Sequence, residues 1–66
     1  MKNTIKVERA KLNITQADLA QQIQVSKQTI NSIETGRFVP SAVTALKIAR
    51  FFKVPVEQLF ELEPDD

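Results

Sequence analysis

Between Ser26 and Thr35 the chain reads SKQTINSIET, a run of amides, hydroxyls and one ammonium around two isoleucines. Turned at about 100° per residue as a helix, the segment places Ile30 and Ile33 on one side. Gln28, Asn31, Ser32 and Thr35 fall on the other, with Lys27 at the N-terminal edge. None of the polar-side residues is acidic or large and apolar. Glutamine and asparagine pair bidentately with adenine N6 and N7, lysine reaches guanine O6 and N7, and hydroxyls suit several base edges. Solvated helix faces without such a task favour glutamate, lysine and alanine. A face of amides and hydroxyls gives up helix propensity, which points to direct contacts; the alternative is an ordinary solvated surface.

A face of this kind needs a scaffold, and residues 15–36, TQADLAQQIQVSKQTINSIETG, supply one. Thr15 is placed as an N-cap with Asp18 three positions on, a capping box. The helix it starts carries Leu19, Ala20 and Ile23 inward and ends near Gln24. Val25 fills a short turn, Ser26 caps the next helix, and Gly36 sits where a left-handed C′ residue belongs. Small Ala20 allows two short helices to cross closely, and Leu19, Ile23, Val25, Ile30 and Ile33 supply the apolar seam. This is the layout of a helix-turn-helix over about 16–35, with the second helix offered to the DNA major groove. The turn position that favours glycine holds Gln24, and a left-handed non-glycine residue costs on the order of 1 kcal/mol.

Further helices are predicted on either side. The first runs from about Asn3 to Leu12, with Ile5, Arg9 and Leu12 on one side, and ends at Asn13 in the left-handed region that asparagine tolerates. Arg37 to Pro40 form a loop. Ser41 caps a fourth helix through about Phe52, rich in Ala42, Ala45, Leu46, Ala49 and Phe52. Val54 and Pro55 break it, and Val56 to Phe60 form a short fifth helix. Residues 61–66 are expected to be frayed or extended. No strong strand pattern appears, so the fold class is all-α with five helices.

Phosphate contacts are expected beside the polar helix, where helix N-termini present free N–H groups and a positive dipole end. Gln16, Ser26, Arg37, Lys11 and Ser41 are the candidates; Ser26 and Ser41 also serve as caps. Arg9 lies on the apolar side of the first helix and Glu34 next to Ile33. They form a structural ion pair between helices; the competing assignment makes Arg9 a phosphate contact and Glu34 a solvated charge.

Composition narrows the function further. Sixty-six residues with 42% apolar content make one small domain (core 5–60, acidic tail 61–66) without room for a deep substrate pocket. There is no cysteine and no histidine, so no disulfide, thiolate metal site or histidine general base is available. Ser26, Ser32 and Ser41 lack a histidine partner, so no catalytic residue, metal or cofactor is expected. A single glycine excludes a glycine-rich phosphate loop. No apolar run approaches the roughly 20 residues of a membrane span, and no signal-peptide stretch opens the chain, so a cytoplasmic location is expected. Residues 1–37 carry six basic and three acidic groups, a net +3, whereas 38–66 carry three basic and five acidic groups, a net −2. A nucleic-acid face therefore belongs to the N-terminal half.

From about Ile5 to Phe60 the strings ITQADLAQQI, VSKQTINSIETGR, PSAVTALKIARFF and VPVEQLF fall in the order and spacing of the Cro/C1-type helix-turn-helix regulators, the Xre family. The chain resembles the small stand-alone bacterial and phage members. The resemblance implies a compact five-helix, lambda-repressor-like fold and a homodimer on a palindromic operator. It implies that Gln16 contacts the DNA backbone, that Lys27, Gln28, Asn31 and Ser32 face the bases, and that Arg9 and Glu34 are the family's inter-helix ion pair. Some close relatives pair their chain ends as short strands, which here would join MKNTI to LFELE. Gln24 departs from the family's turn glycine.

A sequence-specific double-stranded DNA-binding repressor acting as a homodimer is the expected function. Phe51, Phe60 and Leu62 exceed the needs of so small a core, cluster late, and offer a self-association surface; the alternative is that Phe51 and Phe60 are core. A second function of the same fold is a protein-binding module such as an antitoxin, whose main partner is a protein.

Overall fold

The computed structural model describes residues 1–66, with five helices and one two-stranded antiparallel ribbon. In chain order these are β1 (Lys2–Asn3), α1 (Ile5–Leu12), α2 (Gln16–Ile23), α3 (Lys27–Glu34), α4 (Ala42–Phe52), α5 (Val56–Leu59) and β2 (Phe60–Glu61). The helical core agrees with the all-α class. The ribbon pairs Lys2 with Glu61 and Asn3 with Phe60, joining the two chain ends as the family resemblance implied.

Each long helix starts where a side chain satisfies its first orphan donors. Thr15 and Asp18 close a reciprocal capping box on α2, with Asp18 N–H to Thr15 Oγ1 at 3.0 Å and Thr15 N–H to Asp18 Oδ2 at 2.9 Å. Those bonds hold the Asp18 carboxyl below the ordinary aspartate range. Ser26 caps α3 and Ser41 caps α4 by accepting from the N–H of the third helical residue, at 3.0 and 3.2 Å. α1 begins at Ile5, two residues later than expected. Asn3 belongs to the ribbon, and its amide turns inward to donate to the Ile33 carbonyl at 2.9 Å and accept from Ile5 N–H at 3.2 Å.

Three helices end on a left-handed non-glycine residue: Asn13 (φ 56°), Gln24 (φ 62°) and Lys53 (φ 60°). At each, the cap N–H and the one after it bond back to carbonyls of the last turn, for example Gln24 to Gln21 at 3.4 Å and Val25 to Ala20 at 3.0 Å. The sharp turn between α2 and α3 is thus made without glycine. Gln24→Gly is expected to raise stability by up to about 1 kcal/mol by relieving the left-handed Cβ, read as a higher urea midpoint; an unchanged or lower midpoint contradicts strain at this turn.

The core gathers Ile5, Leu19, Ala20, Ile23, Ile30, Ile33, Ile48, Ala49, Phe52, Leu59 and Phe60 from every helix and β2. Val25 packs against it from the turn. Full burial of side chains such as Ile30 and Ile33 contributes roughly 1.5–3 kcal/mol each and fixes which way the rest of α3 faces. Three expectations are refined. Phe60 is buried at 8% exposure, so it belongs to the core and not to a self-association surface. Leu12, at the C-terminal end of the Ile5 and Arg9 side of α1, is half exposed and outside the core. Of the two forms expected for residues 61–66, frayed or extended, the chain is extended at Glu61 in β2, and its end is held: the Met1 ammonium bonds Glu63 at 3.0 Å and Asp66 at 3.2 Å, which raises the pKa of that amine.

Candidate nucleic-acid interface

The site is built on α2 and α3. Ile30 and Ile33 lock α3 onto the core, which leaves Lys27, Gln28 and Asn31 exposed and Ser32 partly so. These four share one outward side of a helix eight residues long.

Gln16, at the first position of α2, crosses to α3. Its Nε2 donates to Asn31 Oδ1 at 3.2 Å and to Glu34 Oε1 at 3.3 Å. The contact occupies one lone pair of the Asn31 oxygen, and the Asn31 amino group has no hydrogen-bond partner within the fold. Gln16, expected as a backbone contact at a helix start, is half buried and tied into α3.

Behind it lies the pair of Arg9 and Glu34. Arg9 Nε and Nη2 meet the two Glu34 oxygens at 2.7 and 3.0 Å, a bidentate fork, and Nη1 donates to the Ile14 carbonyl at 3.0 Å. Both side chains are largely buried, at 14% and 6% exposure. The carboxylate holds the guanidinium pKa above its ordinary value. Arg9 is thus engaged inside the fold, and the competing assignment of it as a phosphate contact fails on geometry. The chain from Arg9 through Glu34 and Gln16 to Asn31 connects α1, α2 and the exposed face of α3.

The flanking candidates divide. Arg37 and Lys27 are exposed and make no ion pair. Lys11 pairs with Glu8 at 3.1 Å on exposed α1 surface, which partly cancels its charge. The hydroxyls of Ser26 and Ser41 are engaged as caps and bond Thr29 and Thr44 Oγ1 at 2.9 and 3.2 Å. The first N–H groups of α2 and α4 have no intrahelical acceptor and point along the positive end of each helix. Thr35 turns its hydroxyl back onto the Asn31 and Ser32 carbonyls at 2.9 and 3.3 Å, so it leaves the outward set.

Sequence reasoning missed Phe38. The chain reverses at Gly36 (φ 79°), and the N–H groups of Arg37 and Phe38 both donate to the Ser32 carbonyl, at 2.9 and 3.2 Å. That bond pair lays Phe38 beside α3 with its ring half exposed. A large aromatic in the short loop directly after the polar helix was the available signal.

No helix is long and apolar enough to cross a membrane, and no group of three or more carboxylate, cysteine or histidine side chains could hold a metal ion.

Comparison with known proteins fits this arrangement. Residues 5–59 match the family model HTH_3, described as helix-turn-helix. An uncharacterized HTH-type transcriptional regulator of Methanocaldococcus jannaschii is 50% identical over 66 residues, covering the whole of both chains. YgzD, an uncharacterized HTH-type transcriptional regulator of Bacillus subtilis, is 39% identical, again over the whole of both chains. A third HTH-type regulator, from Archaeoglobus fulgidus, is 39% identical over all of this chain and 93% of its own. With the capped α2, the tight turn at Gln24 and the outward polar face of α3 in place, and despite the absence of the family's turn glycine, the chain belongs to the Cro/C1-type (Xre) helix-turn-helix family of small DNA-binding transcriptional regulators.

Proposed function

We propose that residues 1–66 act as one unit that binds double-stranded DNA sequence-specifically, as a homodimer on a palindromic operator, and represses by occluding a promoter. α3 is the recognition helix. Lys27, Gln28, Asn31 and Ser32 read base edges, and Gln16, Ser26, Arg37, Lys11 and Ser41 meet the backbone. The observation that carries this is the exposed amide, hydroxyl and ammonium face of α3, with Asn31 oriented in advance by Gln16.

The backbone contacts have unequal roles. Arg37 is an unpaired cation in the loop after α3 and supplies a full charge. Gln16, Ser26 and Ser41 mark helix starts, where main-chain N–H groups do the binding. Lys11 must loosen from Glu8 to take part.

Pairing of two copies sets the recognition helices about 34 Å apart, one turn of DNA. Leu62, 77% exposed, and half-buried Phe51 remain candidates for that contact, and Val39, Val43 and Leu46 add exposed apolar surface on the loop and α4.

The function is tested by fluorescence anisotropy with a selected duplex and a shuffled one. Binding to the selected duplex is expected to be tighter by at least about a thousandfold. Arg37→Ala should weaken both duplexes similarly and reduce the slope of log K against log salt by about 0.9, one phosphate contact. An unchanged slope removes Arg37 from the backbone set.

A further inference from the structure

Beside α3 lies a groove of about 360 Å³ lined by Ser26, Gln28, Thr29, Ser32 and Phe38. Two of the recognition residues form its wall, and Phe38 is its one apolar member. The Ser26 and Thr29 hydroxyls bond each other at 2.9 Å. The outward chemistry of the groove therefore reduces to the Gln28 amide, the Ser32 hydroxyl and the aromatic ring. Phe38 is 49% exposed, so about half of a large apolar side chain has nothing of its own chain to cover it. Its backbone is held to the helix by the bond from Phe38 N–H to the Ser32 carbonyl at 3.2 Å.

A hydrogen-bond donor next to an apolar ring matches one base edge in the major groove. Thymine presents the O4 acceptor directly beside the C5-methyl group. Cytosine presents a donor there and no methyl, and the purines present no methyl at all. We propose that Phe38 is a specificity-determining residue, and that this groove seats the methyl group of a thymine whose O4 accepts from Gln28 or Ser32. The inference rests on the proposed DNA readout by α3 and adds a residue from outside that helix to it.

The test replaces each thymine of the selected duplex, one at a time, with deoxyuridine, which deletes the methyl and keeps O4 and base pairing. Wild-type protein should lose about fourfold in affinity at one position per half-site, the value of one buried methyl. Phe38→Ala should bind more weakly and show no loss at that position, while Phe38→Leu should keep part of it. Because the ring is exposed, Phe38→Ala should unfold near the wild-type temperature.

A flat deoxyuridine scan with wild-type protein overturns the inference alone. So does an equal loss at the same position in Phe38→Ala, or a uniform loss on all duplexes, which would place the ring against the sugar-phosphate backbone. If wild-type protein prefers no duplex at all, the readout by α3 fails, and this inference fails with it.

Discussion

Replacing Arg9 with methionine is expected to lower the unfolding free energy by about 3–5 kcal/mol, because it strands the Glu34 carboxylate in a buried site with one weak partner. Glu34 has 6% of its side chain exposed, and without the guanidinium only the Gln16 amide at 3.3 Å remains. A chain of 66 residues has roughly 3–10 kcal/mol of stability in all at typical values per residue, so this single change removes a large share of it. Urea unfolding measures it. The double variant Arg9→Met, Glu34→Leu should recover most of the loss, since an apolar pair of similar volume carries no desolvation cost. An equal loss in single and double variants would mean that packing of the arginine stem, not the stranded charge, sets the effect. The pair's contribution is mainly orientation: it fixes Gln16, and Gln16 fixes Asn31.

Gln28→Ala and Asn31→Ala should each relax base preference by about 1–3 kcal/mol at one base pair per half-site, the value of a bidentate amide–adenine contact. Both side chains are exposed, so stability should change little. Asn31→Ala carries a second effect, because Gln16 Nε2 loses the acceptor at 3.2 Å and keeps only Glu34. Binding of each variant to duplexes mutated position by position measures the preference. Unchanged affinity and preference in both variants would remove α3 from base readout.

Much of this was legible in the sequence, for identifiable reasons. The caps of α2, α3 and α4 depend on residues one to three positions apart, and Thr15, Asp18, Ser26 and Ser41 announce them locally. The left-handed turn at Gln24 was readable because the helix-turn-helix frame needs a positive φ at that position, whatever residue occupies it. Arg9 and Glu34 could be paired because each was a charge set at the edge of an apolar side.

Other features depend on partners distant in the chain. Asn3 is drawn out of the first helix by the Ile33 carbonyl, thirty residues away, and nothing in its neighbours signals that. The ribbon has two residues per strand, too few for alternation to appear, so only the family resemblance suggested it. Phe60 looked surplus because the burial supplied by strand pairing was not counted. The side chain of Gln16 could be assigned to a helix start but not to its partner on α3, which tertiary packing alone decides.

Selection of bound duplexes from a random DNA library at physiological salt tests the central claim most directly. The account predicts an enriched inverted repeat with half-sites about one helical turn apart, with adenine and thymine at the positions met by Gln28, Asn31 and Phe38. No enrichment, or only salt-sensitive binding to any duplex, would contradict base readout by α3 and turn attention to a protein partner for the same fold.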